Sequence, residues 1–147
     1  MAAHRESRVV PYSADLMFSI VADVERYPEF LPWVSALRVL SRTRDGEKEI
    51  LLAEMLVGFR GLRERYTSRV VLDGPARAID VTQTQGPFRT LETHWRFTPQ
   101  GDGARVDFAI DFEFRNRLLN AVAGSAFTLA QKRMTSAFEE RAKTLSK

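Results

Sequence analysis

Residues able to carry acid–base or metal chemistry are scarce in this chain, and none forms a recognisable catalytic site. The sequence holds two histidines and no cysteine, so disulfides, thiolate catalysis and thiolate metal centres are excluded. We expect His4 to lie in a frayed N-terminal segment. His94 falls between Thr93 and Trp95, and strand alternation turns it away from the inner face. No metal-ligand spacing, phosphate-binding glycine loop or serine-hydrolase motif is present.

One segment places polar side chains toward the expected interior. Alternation over residues 62–72 puts Glu64, Tyr66 and Ser68 on the same face as its apolar residues. A carboxylate there costs free energy unless it is paired or near an opening. Tyr66 and Ser68 can hydrogen-bond a polar head group such as a quinone carbonyl. A bulge after Gly58 and Gly61 would instead shift the register and expose Glu64, and both interpretations remain open.

These side chains need a sheet to hold them, and the sequence predicts about seven strands. A short first strand ends at residues 8–11, and a short helix follows over residues 14–21. Hairpin-length connections, such as the turn at Asp45 and Gly46, favour an antiparallel meander. Residues 105–115 alternate without error, which indicates a half-buried strand, and its aromatic inner face carries Val106, Phe108, Ile110, Phe112 and Phe114.

The last element is a predicted amphipathic helix over residues 118–145. Its apolar residues recur at three- and four-residue steps, so they share a face, and many of them are alanine. Small side chains allow either close packing or a hollow between helix and sheet. The spaced aromatic residues of the facing strands favour the hollow. The apolar stripe begins with Leu118, Leu119, Val122, Ala123, Ala126 and Phe127.

A proline-containing segment after the short helix is the best candidate for a gate over that hollow. Two prolines stiffen residues 27–33, and large apolar groups crowd around them. Phe30, Leu31 and Trp33 could close a cavity or touch lipid from this turn.

A later hairpin tip offers a second candidate rim. Phe59 and Leu62 are flanked there by Arg60 and Arg63. Apolar tips with arginine neighbours suit docking on an anionic membrane surface. The arginines of residues 60–69 could instead contact ribosomal RNA phosphates.

Bulk composition predicts one globular domain spanning residues 1–147, with 44% hydrophobic and 28% charged residues. The net charge of +3 is mildly basic, which permits contact with anionic lipid or RNA without requiring it. The first residues show no secretory signal, and no stretch approaches the ~18 apolar residues of a membrane span. We expect a protein that is cytoplasmic or peripheral at the inner membrane.

Diffuse core and turn patterns run along nearly the whole chain. They comprise Tyr27-Pro28-Glu29-Phe30-Leu31-Pro32-Trp33-Val34, Val57-Gly58-Phe59, Tyr66-Thr67-Ser68, Pro87-Phe88, Leu91, Trp95-Arg96-Phe97 and Phe112-Glu113-Phe114. With the terminal helix, they resemble the coenzyme Q-binding branch of the START-like superfamily. The resemblance implies an α+β helix-grip fold in the order β-α-α-β-β-β-β-β-β-α. A curved antiparallel sheet would wrap round the long C-terminal helix and enclose a hydrophobic tunnel.

The resemblance also implies a function in ligand binding. Family members bind ubiquinone as lipid-quinone chaperones that support respiration, a bacterial branch is described as ribosome-association toxins, and distant relatives are aromatic polyketide cyclases. We therefore expect a non-enzymatic protein that binds ubiquinone or a related prenylated quinone, requires no other cofactor and binds no DNA. A regulator that binds the large ribosomal subunit, or a cyclase using Glu64 or Tyr66, remains an alternative. The expected ligand-binding residues are Phe30, Leu31, Trp33, Phe59, Glu64, Tyr66, Trp95, Phe108, Ile110, Phe112, Phe114, Leu119, Val122, Ala123, Ala126 and Phe127.

Overall fold

The fold consists of an antiparallel sheet and the helices that close one of its faces. The computed structural model describes residues 2–59 and 62–146, without the side chains of Phe59 and Leu62. The strands are β1 (Ala2–Val10), β2 (Val34–Asp45), β3 (Lys48–Phe59), β4 (Leu62–Asp73), β5 (Ala78–Gln85), β6 (Phe88–Gln100) and β7 (Gly103–Phe114). The helices are α1 (Ala14–Ala22), a 3₁₀ helix (Val24–Glu29), α2 (Arg117–Lys132) and α3 (Met134–Leu145).

The strands form one sheet in the order β1-β7-β6-β5-β4-β3-β2. Strands β2 to β7 pair with their chain neighbours as a meander, and β1 joins the free edge of β7. The β2–β3 hairpin turns at Gly46, whose φ of 64° lies in the left-handed region that favours glycine. This architecture confirms the predicted α+β helix-grip fold. It departs from the predicted order only in the terminal helix.

The aromatic inner face predicted for the last strand is confirmed. Its five alternating apolar residues are all buried, and four of them face large apolar residues on β6. The cross-strand partners are Phe97 and Val106, Trp95 and Phe108, Leu91 and Phe112, and Phe88 and Phe114. Such pairs stabilise a sheet because their side chains pack directly against each other.

His4 lies within strand β1, so the expectation that it belongs to a frayed segment is wrong. Strand β1 is nine residues long and extends the predicted short strand toward the N-terminus. His4 lies opposite Ile110 in the pairing with β7. The hydrogen-bonding edge of β7 provides a partner for every residue of β1, which local sequence signals do not reveal.

The predicted single terminal helix is two helices that meet at Arg133. The α2 helix begins after Asn116, whose side chain accepts hydrogen bonds from the Leu118 and Leu119 amides. The backbone of Arg133 departs from helical geometry, with φ −94° and ψ −4°. The two halves pack differently, since α2 lies against β7, β1 and β3, whereas α3 packs against α1 and reaches β1 through Thr135 and Glu139. Tertiary packing therefore accounts for the break, because no glycine or proline occurs there.

Candidate hydrophobic-ligand site

A cavity lies between the concave face of the sheet and the helices. Its volume is about 90 Å³, whereas one buried water needs only about 10–15 Å³ on the same scale. Strands β2 to β7 form its floor, and α2 and α3 form one wall. The floor and wall include Leu37, Ala53, Met55, Tyr66, Ser68, Val70, Ile79, Val81, Leu91, Thr93, Trp95, Phe108, Ile110, Phe127, Gln131, Met134 and Phe138.

The roof of the cavity is the segment that follows α1. Tyr27, Leu31 and Trp33 all line the cavity from this segment. The Tyr27 hydroxyl donates a hydrogen bond to the Val21 carbonyl, and the Leu31 amide donates to the Tyr27 carbonyl over 2.9 Å. These bonds fold the segment back on itself, so that the prolines stiffen a turn whose apolar side chains point into the protein.

Besides Tyr27 in the roof, the lining of this otherwise apolar space includes Tyr66, Ser68, Thr93 and Gln131. Ser68 and Gln131 are buried and Thr93 is half-buried, and all three line the cavity. The Ser68 Oγ has no hydrogen-bond partner among the described residues. The Tyr66 hydroxyl donates to the Met55 Sδ over 3.2 Å, which is a weak acceptor. The site therefore holds hydrogen-bond donors that the protein itself does not satisfy well.

The position of Tyr66 depends on the turn between β5 and β6. A Cβ added to Gly86 would lie 2.4 Å from the Tyr66 Cβ, and Gly86 has a φ of 153°. Only glycine fits so close an approach in that conformation. The β4–β5 pairing shifts its register between Thr67 and Ser68, the two residues that follow Tyr66. Both of these side chains are buried.

The site is electrically neutral. Burial raises the pKa of Tyr66 above its ordinary value. Burial is also the main reason that the pKa of Tyr27 is raised, and electrostatic interactions with Tyr66 and then Asp23 add to it. Both phenols therefore stay protonated and act as hydrogen-bond donors. The residues that line the cavity in the described chain include no Asp, Glu, His, Lys or Arg. No group of three or more metal-ligating side chains occurs among the described residues.

A packed aromatic cluster fills the space between strands β6 and β7 and the part of α2 that precedes Gln131. The rings of Phe88 and Phe114 stack with centroids 4.5 Å apart, and those of Phe112 and Phe127 meet at 4.6 Å. Phe88 also contacts Phe127 at 5.1 Å. The hollow therefore does not extend along this part of the helix, although the alanines of its apolar stripe were the reason for predicting a hollow.

Seven of the residues predicted to bind ligand do meet around the cavity. They are Leu31, Trp33, Tyr66, Trp95, Phe108, Ile110 and Phe127. Phe112 and Phe114 lie instead in the aromatic cluster, and Ala123, Leu119 and Ala126 lie on α2 outside the cavity lining. Phe30 packs behind the roof against Tyr27 and Phe138. The side chain of Phe59 falls outside the described residues.

Three predicted positions need correction. Val122 is 54% exposed and Leu118 is 71% exposed, because the apolar residues of α2 form two stripes and only the one containing Ala123 and Phe127 faces the sheet. Glu64 is half-buried and does not line the cavity. The bulge considered as the alternative is absent between the described parts of these strands, since β3 and β4 pair continuously from Lys48 with Asp73 to Phe59 with Leu62.

Sequence reasoning missed Gln131 and Met134, which line the cavity from the end of α2 and the start of α3. The sequence does contain an indication that Gln131 faces the interior. Gln131 is four residues after Phe127 and seven before Phe138, so a polar residue interrupts the buried stripe. Met55 was missed for a different reason, because a single methionine in a strand gives no indication of a cavity.

A sheet gripping C-terminal helices around a neutral apolar cavity defines a hydrophobic-ligand-binding fold of the START-like type. Residues 10–139 match the family described as "Polyketide cyclase / dehydrase and lipid transport", and the chain belongs to that family. A START superfamily protein from Mycobacterium smegmatis shares the fold, with a TM-score of 0.77 at 24% identity over 97% of this chain and 98% of that one.

Relatives of this chain carry two different kinds of name. It is 35% identical to the "Ribosome association toxin RatA" of Rickettsia prowazekii, over 100% of both chains. It is 36% identical to the mitochondrial "Coenzyme Q-binding protein COQ10 homolog B" of Xenopus laevis, over 95% of this chain and 57% of that protein. Within the described residues, no helix is long and apolar enough to cross a bilayer.

Proposed function

We propose that this protein binds a prenylated quinone, ubiquinone or a close analogue, and carries it without chemical change in support of respiratory electron transport. The observation that carries the proposal is the Ser68 hydroxyl, which is buried at an apolar cavity and has no hydrogen-bond partner in the part of the chain that the structure describes. An unsatisfied buried donor costs about 1–3 kcal/mol, and a ligand carbonyl oxygen would accept its hydrogen bond.

The other polar groups of the cavity suit the same ligand. Tyr66 is a neutral phenol held close to Ser68 on β4, and the amide of Gln131 approaches from α2. A quinone ring presents carbonyl oxygens but no hydrogen-bond donor, so it matches a set of donors. The aromatic and aliphatic lining supplies apolar area, worth about 25 cal/mol per Å² removed from water before the cost of ordering the ligand.

A carrier role is favoured over catalysis by the chemistry of the lining. General acid–base catalysis needs a group that titrates near the working pH. Tyr66 does not meet this need because burial raises its pKa, and Glu64 is not among the lining residues. A cyclase mechanism based on either side chain is therefore disfavoured.

The two tryptophans of the chain provide the test, because Trp33 and Trp95 both line the cavity. Titration with a short-chain ubiquinone should quench their fluorescence saturably. Ser68→Ala and Gln131→Leu should each weaken binding about threefold to tenfold, as expected for one lost hydrogen bond. Ser41→Ala, at an exposed position on an edge strand, is the matched control. Linear quenching without saturation, or equal affinity in all four proteins, would count against the proposal.

Chemical analysis of the same mixtures tests the carrier role. We expect the quinone to be recovered unchanged after long incubation with the protein. A protein-dependent product that disappears in Tyr66→Phe would instead favour an enzyme.

A second candidate function, association with the ribosome, is favoured by one surface. Arg63, Arg65 and Arg69 alternate on β4, so they share the outer face, and all three are exposed. None forms an ion pair among the described residues, whereas Arg5 and Arg38 on the two edge strands of the sheet pair with Asp111 and Glu54. Unpaired cations are available to phosphates.

Co-sedimentation with ribosomal subunits would test this candidate. Binding should fall steeply as salt rises, and replacing the three unpaired arginines by glutamine should reduce the salt dependence by about three phosphate contacts. Arg5→Gln and Arg38→Gln serve as charge-matched controls. Salt-independent sedimentation, or equal loss in the control variants, would refute a phosphate-binding role for β4.

A further inference from the structure

The outer face of α2 carries an exposed apolar stripe that the ligand site does not use. Leu118, Val122 and Leu129 are 71%, 54% and 43% exposed. With Ser125 they lie within an arc of about 60° on the helix surface. The stripe is separate from the buried face of the same helix, where Phe127 and Gln131 line the cavity. Large aliphatic side chains grouped in this way on an exposed helix mark a surface that contacts something apolar.

The chain segment that carries the stripe has charges of one sign. Residues 115–138 contain Arg115, Arg117, Lys132 and Arg133 and no acidic residue. All four cations are exposed, and none forms an ion pair among the described residues. The Arg115 guanidinium donates a hydrogen bond to the Phe88 carbonyl over 3.1 Å. Elsewhere arginines are commonly paired, as Arg105 is with Asp107 at 3.0 Å.

We propose that this face of α2 docks the protein on an anionic lipid membrane. Aliphatic side chains with cations at both ends of the helix match the boundary between lipid tails and anionic head groups. A protein partner would be expected to meet mixed charges, and RNA would leave the leucines and valine uncovered. If the proposed quinone binding is correct, docking also brings the helical wall of the cavity to the place where a prenylated quinone resides.

Vesicle flotation tests the docking directly, using the whole chain with vesicles of phosphatidylglycerol and phosphatidylcholine or of phosphatidylcholine alone. The wild-type protein should float with the anionic vesicles and remain largely unbound with the neutral ones. The triple variant Leu118→Gln, Val122→Gln and Leu129→Gln should lose at least tenfold in vesicle affinity. Leu40→Gln, on the edge strand β2 at 44% exposure, is the matched control and should float like the wild type.

The cationic part of the surface is tested separately. Arg117→Gln and Lys132→Gln should each weaken binding to anionic vesicles about fivefold, the effect of about 1 kcal/mol per charge. Both side chains are exposed, so neither change should disrupt the fold. Arg117 lies in the first turn of α2, where a cation is unfavourable, whereas Lys132 lies in the last turn, where its loss should cost no more than about 1 kcal/mol. Unchanged folding is checked by the thermal midpoint of each variant.

Three results would overturn the proposal. They are equal flotation of the triple variant and the wild type, equal binding of the wild type to neutral and anionic vesicles, and a wild-type dimer that the triple variant converts to monomer without any vesicle binding. Quinone quenching, measured without vesicles, separates this proposal from the previous one. The triple variant should retain it, whereas Ser68→Ala should lose quinone affinity and still float.

Discussion

We predict that Ser68→Ala has opposite effects on the stability of the unliganded protein and on its affinity for the ligand. Ser68→Ala removes one buried oxygen and adds no atom, so no clash results. The oxygen has no hydrogen-bond partner among the described residues, and leaving such a group unsatisfied costs about 1–3 kcal/mol. The lower strand propensity of alanine offsets part of that amount. We therefore expect the unliganded variant to gain about 1 kcal/mol, or about 2–4 °C in its thermal midpoint for a chain of this size.

Urea denaturation with and without a short-chain ubiquinone measures both sides of this prediction. Ligand binding stabilises the folded state by an amount that grows with ligand concentration over Kd. The quinone should stabilise Ser68→Ala less than the wild type, so that their difference shrinks toward zero as ligand saturates. Ser35→Ala is the control, because Ser35 is exposed and its hydroxyl donates to the Leu56 carbonyl. A variant whose stability difference from the wild type is the same with and without quinone would refute the reasoning.

Three further predictions concern the fold around the site. Gly86→Ala should cost about 2–4 kcal/mol in urea denaturation, because its Cβ would lie 2.4 Å from the Tyr66 Cβ, whereas Gly74→Ala meets nothing within 4 Å and should be close to neutral. Phe138→Ala should cost about 3–5 kcal/mol by the same assay, since this buried ring packs against three aromatic neighbours. Burial alone would raise the pKa of Asp80, but hydrogen bonds from His94 and Arg96 outweigh it and lower the pKa. The Asp80 carboxylate should therefore stabilise the fold above its unfolded pKa of about 3.9 and lose this contribution as pH falls through the folded-state pKa. Asp80→Asn should accordingly lower stability at pH 7 but not at strongly acidic pH, as acid titrations of unfolding would reveal.

The sheet was predictable because its signals are local. The alternation that ends at Phe114 and the turn at Gly46 each depend on residues adjacent in the chain, and both match the structure. The pairing of β1 with β7 joins residues about a hundred positions apart, such as Ala2 with Phe112. No local pattern marks such a partner, so the order of His4 could not be read from its neighbours.

The candidate site was predictable only on its strand side. A strand has two faces, so alternation assigned Tyr66, Trp95 and Phe108 to the interior without ambiguity. A helix has no such binary choice. The apolar residues of α2 cover a wide arc, and Val122 was assigned to the inner stripe although it belongs to the outer one. The predicted hollow also included the alanines of α2 before Phe127, which do not line the cavity. The phenylalanines of the sequence do not reveal whether their rings stack or stand apart.

The size and boundaries of the cavity indicate which wall must move when a ligand enters. Ligand pockets usually measure about 300–1,000 Å³, so a cavity of about 90 Å³ has to expand. The floor is a continuously hydrogen-bonded sheet, and the aromatic cluster closes the space under α2. The roof contacts α3 through side chains, with the rings of Tyr27 and Phe30 against Phe138 and an ion pair of Glu29 with Arg141 at 2.8 Å. It is a short 3₁₀ helix and turn rather than a strand, so it lacks the ladder of backbone hydrogen bonds that holds the floor. Entry of the ligand should therefore displace residues 24–33, and the tail should leave past this segment rather than along the alanines of α2.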